Sequence, residues 1–222
     1  MENLTPIFAD FNSTTPLCQP VVNAFMDWQH VQGNMSSAHY FGQKVHAKYD
    51  QAIDLIQSLL SGYQYDLFTC SSATEANYWW IYSMLDNVVG VPRVIATVIE
   101  HPCVLQPLQY YANLGKIDLQ LCSVDSNGCI NLAEFNALLN SNTLFVSVMY
   151  ANNEIGTIQP LQAVVKAAKA VGALVHSDIV QAAGKLEIDL DQLNLDAVTL
   201  SSHKCYAPTG CGVLMVQNKD LL

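Results

Sequence analysis

Apolar positions fall in short blocks of two kinds. Over residues 45–60, Ala52, Ile53, Ile56, Leu59 and Leu60 recur at helical spacing, which predicts a helix ended by Gly62. Residues 66–70 read as a short strand. A helix over 74–85 follows, opened by the capping-box pattern Ser72-Ala73-Thr74-Glu75. The β-branched run 93–99 predicts a buried strand, and Pro102 opens a helix over 103–114. Residues 118–122 read as a strand, Ser126-Asn127-Gly128 as a turn, 132–139 as a helix and 144–150 as a strong strand. An Ala/Val/Lys helix over 161–171 stops at Gly172, and strands are expected at 173–176, 197–201 and 212–216. This alternation predicts an α/β fold: a mostly parallel sheet flanked by helices, with right-handed crossovers. No repeat or linker stands out in the 222 residues, which suffice for one substantial domain or two small ones.

Composition narrows the function classes. Hydrophobic residues make up 51% and charged residues 13%, against about 25% charged in an ordinary soluble domain. That excludes disorder and coiled coil, and it suggests that some surface is meant to be covered. A net charge of −10 disfavours nucleic acid and anionic membranes as partners. No apolar run approaches the roughly 18 residues of a spanning helix. An acid at position 2 and no basic leader segment argue against a secretory signal, so a cytoplasmic protein is expected. The seven cysteines show no CxxC spacing and read as reduced, mostly buried thiols.

In parallel sheets, ligands gather beyond the carboxyl ends of the strands. Polar residues collect at five such ends: Ser71 to Glu75, Glu100-His101, Asn152 to Gly156, His176 to Gln181, and Ser201 to Lys204. One or two such clusters could arise by chance, whereas five argue for a site.

These residues carry a resemblance. The segments Ala9-Asp10-Phe11-Asn12-Ser13-Thr14-Thr15-Pro16, Gly33-Asn34 with Ser36-Ser37 and His39, Ser72-Ala73-Thr74-Glu75, Glu100-His101, Asn152-Asn153-Glu154-Ile155-Gly156, Asp178 with Gln181, and Ser201-Ser202-His203-Lys204 with Gly210 and Gly212 follow an order and spacing similar to the front part of cysteine desulfurases. Those enzymes belong to the class V aminotransferase group of pyridoxal-phosphate (PLP) enzymes of fold type I. The resemblance runs from about residue 8 to the last residue. It implies that residues 1–222 form an amino-terminal segment plus the cofactor-binding large domain, without the small carboxy-terminal domain.

Each implied role has a physical reason. Lys204 would attach PLP covalently, because burial or a nearby positive charge frees a lysine amine to act as a nucleophile. A lone lysine is ordinarily a solvated surface residue. Asp178 would keep the pyridine nitrogen protonated, against the plainer reading of a helix-capping aspartate. Gln181 and Asn153 would hydrogen-bond the 3-hydroxyl oxygen, or else serve turns. His101 would cover the ring face and move protons, or else be a satisfied core histidine. Ala73, Thr74, Ser201 and His203 would hold the phosphate at a helix start, where free N–H groups favour an anion.

Family members are nearly twice as long. The remainder supplies the persulfide cysteine, an arginine for the substrate carboxylate and a residue reaching the phosphate across a dimer interface. None of the seven cysteines matches the persulfide position, and Cys103 and Cys205 read as incidental thiols. The resemblance implies L-cysteine as substrate, L-alanine as product, a homodimer, and a sulfur-acceptor or iron–sulfur scaffold partner serving cluster assembly or tRNA thiolation. Three alternatives stay open: a non-catalytic remnant or interaction module, another class V enzyme such as a selenocysteine lyase or aminotransferase, and a metal hydrolase using Asp178, His101, His176 and His203. The last is disfavoured because alternation along the strand points His176 away from Asp178's neighbour, which makes convergence on a metal doubtful.

Overall fold

The computed structural model describes residues 6–222; residues 1–5, including the acid at position 2, lie outside them. Seven strands form one sheet: β1 (Asp66–Cys70), β2 (Arg93–Thr97), β3 (Asp118–Cys122), β4 (Thr143–Ser147), β5 (Leu174–Asp178), β6 (Ala197–Ser201) and β7 (Gly212–Val216). Their order is β1-β7-β6-β5-β4-β2-β3. Every pairing among β2 to β6 is parallel, and β7 runs antiparallel to both β6 and β1. A parallel partner for β6 would need a crossover of a dozen or more residues. The segment 202–211 instead turns back, with Gly210 at φ 91°, and lays β7 beside β6.

Side chains alternate between two cores, as the two-residue period of a strand requires. Val94 and Ala96 of β2, Phe145 of β4 and Leu214 and Val216 of β7 face α3 (Ala73–Leu85) and α4 (Pro102–Asn113). Ile95, Val146, Val175, Val198, Val213 and Met215 face the other way. There they meet α5 (Leu132–Leu138), α6 (Leu161–Ala170) and α7 (Leu190–Leu193). This is the expected α/β arrangement of a mostly parallel sheet flanked by helices.

Some limits differ from expectation. The strands expected at 93–99 and 144–150 end at Thr97 and Ser147. In the second case the backbone stays beside β5 beyond the ladder, with Val148 N–H donating to the His176 carbonyl (3.1 Å) and Tyr150 N–H to the Asp178 carbonyl (3.0 Å). The helix expected from residue 45 starts five residues earlier: α2 is Tyr40–Leu59, capped by His39. Helices α1 (Gln19–Trp28) and α7 were not anticipated. No residue of α1 is buried, and only Gly42 of α2 is. Phe25, Met26, Trp28, Phe41, Leu55 and Leu59 of these two helices are exposed, so part of the excess apolar surface implied by the composition lies there. Among the described residues, no helix is long and apolar enough to cross a membrane.

Candidate active site

Beyond the carboxyl ends of the parallel strands lies a cavity of about 670 Å³. All nine residues singled out from the sequence line it: Ala73, Thr74, His101, Asn153, Asp178, Gln181, Ser201, His203 and Lys204. Asp10, Asn12, Ser13, Cys103, Met149 and Glu154 line it as well, without having been assigned a role.

The start of α3 forms one wall. Ser72 caps the helix, its Oγ accepting from Glu75 N–H (3.2 Å). Glu75 closes the motif one residue earlier than the usual capping box: its Oε2 accepts from both Ser71 N–H and Ser71 Oγ–H, each at 2.6 Å. Ala73 and Thr74 occupy the first turn, where N–H groups have no intrahelical acceptor. Gly212 packs beneath this turn. A Cβ there would lie 2.2 Å from the Ser72 carbonyl carbon and 2.6 Å from Ala73 N, so only glycine allows the approach.

Asp178, the last residue of β5, is buried. Its Oδ1 accepts from Val180 N–H (3.0 Å) and its Oδ2 from Asn77 Nδ2 (3.0 Å). Burial pushes this carboxyl above the usual range, while those two hydrogen bonds and the facing His101 and Lys204 pull it back. Asn77 was missed in the sequence, although it lies on α3 one turn beyond Thr74 and so on the same face. Its Nδ2 also reaches Cys103 Sγ (3.2 Å), and its Oδ1 accepts from Thr199 Oγ–H (3.0 Å).

His101 caps α4, its Nδ1 accepting from Cys103 N–H (3.2 Å) with the Cys103 thiol 2.9 Å from the same atom. An Nδ1 engaged as acceptor leaves the neutral ring's proton on Nε2. Burial pushes the Cys103 thiol up to about 12, so it stays protonated at neutral pH.

Lys204 follows β6 in a single turn of 3-10 helix, Ser202–Lys204. Its Nζ donates to the backbone carbonyls of Asn12 (2.5 Å) and Ser13 (2.6 Å). The amino-terminal stretch of chain is pinned above it. Thr15 N–H and Oγ–H both donate to the His203 carbonyl at 2.9 Å, and His203 Nδ1 lies 3.1 Å from Thr14 Oγ1. Burial, then the positive charge of Lys185, lowers the Lys204 pKa, with Asp10 and Asp178 opposing. His203 is lowered by burial and by Lys204. The Gln181 amide donates to the Asn12 carbonyl (2.9 Å). Asn153 lines the cavity, while its neighbour Asn152 holds the loop, its Oδ1 accepting from the N–H groups of Glu154 and Ile155.

His176 shares a sheet face with Asp178 and points away from their neighbour Ser177, since side chains alternate along a strand. It is nevertheless sealed in the core, with Nδ1 2.9 Å from Ser147 Oγ and its ring stacked on Trp80. Burial drives it down to about 3. Among the described residues, no group of three or more His, Cys, Asp or Glu side chains could hold a metal ion.

The donor set suits PLP: free N–H groups with Ser201 and His203 for a phosphate, a buried carboxylate for a pyridine nitrogen, an amine with a lowered pKa, and an imidazole at the rim.

Comparison with known proteins agrees with this geometry. The chain is 36% identical over 218 residues to a cysteine desulfurase of Bradyrhizobium diazoefficiens, covering 97% of this chain and 55% of that protein. It is 37% identical over 218 residues to the cysteine desulfurase NifS of Azotobacter vinelandii, covering 96% and 54%. A solved NifS-like protein superposes with a TM-score of 0.90 at 30% identity, over 97% of this chain and 60% of that one. The structure of SspA in complex with cysteine gives 0.90 at 28%, over 96% and 62%. The chain thus spans about half the length of the curated relatives it matches. With the aminotransferase class V family model matching residues 7–221, and the sheet and cavity arranged as described, the chain belongs to the class V aminotransferase family.

Proposed function

We propose that the chain is the amino-terminal segment and PLP-binding domain of a cysteine desulfurase acting on L-cysteine. The carrying observation is that the Lys204 amine, the Asp178 carboxylate and the His101 imidazole line one cavity that also opens onto the start of α3. The relatives' names and the cysteine-bound neighbour support the substrate.

The chemistry such a cofactor supplies is an electrophilic carbonyl carbon and an electron-accepting ring. Lys204 would hold it through its amine, made available by burial and by Lys185. Ala73, Thr74, Ser201 and His203 would bind the phosphate. Asp178 would keep the ring nitrogen protonated, and that positive partner would in turn hold the carboxyl ionised despite its burial. Gln181 and Asn153 would donate to the ring hydroxyl. His101 has a proton to give at Nε2 and would be the acid–base group at the cavity mouth. The thiols of Cys103 and Cys205 are both raised by burial and make poor sulfur acceptors. We therefore assign sulfur acceptance to a cysteine other than these two. Transfer onward to iron–sulfur or tRNA-thiolation partners, and a cytoplasmic setting, belong to the same reading.

The protein mixed with PLP should turn yellow, and borohydride should fix the cofactor on the peptide carrying Lys204. The same covalent adduct in Lys204→Ala would refute the assignment. A homodimer is proposed from the exposed apolar residues of α1 and α2, and light scattering that finds only monomer would count against it. Those helices also favour a second reading, a non-catalytic interaction module. Steady release of alanine from cysteine by the chain with PLP would exclude it.

A further inference from the structure

Lys185 lies outside the motifs that point to the cavity, yet hydrogen bonds join it to Lys204. Its Nζ donates to Gln181 Oε1 (2.6 Å). The other end of that amide, Nε2, donates to the Asn12 carbonyl oxygen (2.9 Å). The same oxygen accepts from Lys204 Nζ (2.5 Å). Two ammonium groups are thus linked through one amide and one carbonyl. An ammonium can only donate, so the Gln181 side chain has one permitted orientation, with oxygen towards Lys185 and N–H groups away from it.

We infer that Lys185 is a positioning residue for this site: it locks the Gln181 amide with its N–H end turned towards the Asn12 carbonyl that also binds Lys204, and it keeps a second positive charge beside Lys204. Its use, under the cofactor reading on which this rests, is twofold. A locked donor is ready for the ring hydroxyl without the cost of turning the amide over. A neighbouring cation favours the neutral, nucleophilic form of Lys204. The charged and titratable groups facing Lys204 are Lys185, Asp10, Asp178 and His203; the two carboxyls act against Lys185. Lys185 is itself exposed, so replacing it disturbs no core contact.

The test is a titration of the protein without cofactor, with lysine labelled with 13C at Cε and Lys204 assigned by its absence in Lys204→Ala. Lys185→Met should raise the Lys204 midpoint by about 0.5 pH unit, a roughly threefold loss of neutral amine at a given pH. Lys185→Arg, which keeps charge and donors, should leave the midpoint at the wild-type value. By absorbance titration, Lys185→Met should also bind PLP several-fold more weakly, with an unchanged circular dichroism spectrum. An unmoved midpoint in Lys185→Met, or an equal shift in Lys185→Arg, overturns the inference. A wild-type protein that takes up no PLP refutes the cofactor reading instead, and the Lys204 titration still decides the role of Lys185.

Discussion

Glu100 offers a measurable consequence of burying a carboxyl beside the cavity. It is 4% exposed, its Oε1 accepts from Thr97 Oγ–H (2.6 Å) and Met149 N–H (2.9 Å), and its Oε2 has no partner. Burial raises its pKa from 4.5 to about 8, against those two hydrogen bonds. The folded protein thus holds this proton more tightly than the unfolded chain does. The resulting stability is complete below 4.5 and is lost as pH rises towards 8. At roughly 1.4 kcal/mol per pH unit, the whole interval is worth about 5 kcal/mol. Glu100→Gln keeps the Oε1 acceptor and cannot ionise. Near pH 5 it should match wild type within about 1 kcal/mol, and by pH 8 it should be the more stable protein by several kcal/mol. Urea midpoints at pH 5, 6, 7 and 8 read this directly. The comparison is between the two proteins, because His176 and Asp178 add their own slopes to both. Parallel profiles across that range would show that Glu100 ionises without penalty, and the burial reasoning would fail.

Other substitutions probe other parts of the frame. Gly212→Ala forces a methyl against the Ser72 and Ala73 backbone and should cost about 1–3 kcal/mol, seen in the urea midpoint together with weaker PLP binding. Ser72→Ala removes the α3 cap and should cost about 1 kcal/mol in the same measurement. His176 is lowered from 6.5 to about 3, so the unfolded chain takes up its proton first and stability is lost as pH falls through that interval. His176→Phe should flatten the acid limb of the stability profile by about 1.4 kcal/mol per pH unit, and an unchanged limb between pH 6 and 4 would place the acid sensitivity elsewhere.

Much of the sheet was legible because its strands are short and bounded by turn residues. The limits of β1, β3, β6 and β7 were read as they stand. The ends of β2 and β4 were overrun because apolar character continues past the ladder: Val148 enters the core, and Met149 lines the cavity. Helix α1 was legible and was overlooked: Val21, Val22, Phe25 and Met26 recur at helical spacing, although none of them is buried in the fold. The direction of β7 is set by the short segment 202–211 rather than by the strand's own residues. Within the cavity, residues at strand ends were found because parallel-sheet topology says where to look. Asn77 and Lys185 were not, since each acts through a neighbour: Asn77 through Asp178, and Lys185 through Gln181.

The hydrogen bond from the Thr15 hydroxyl to the His203 carbonyl joins residues 188 positions apart. The cavity therefore has a late birthday in the life of the molecule. During synthesis its first wall emerges with the earliest segment, but its lysine and the glycine strand beneath α3 leave the ribosome far behind it. On the cofactor reading, coenzyme loading must wait until translation has passed residue 212. A nascent chain halted before residue 204 could be folded in places and still have nowhere to keep its vitamin.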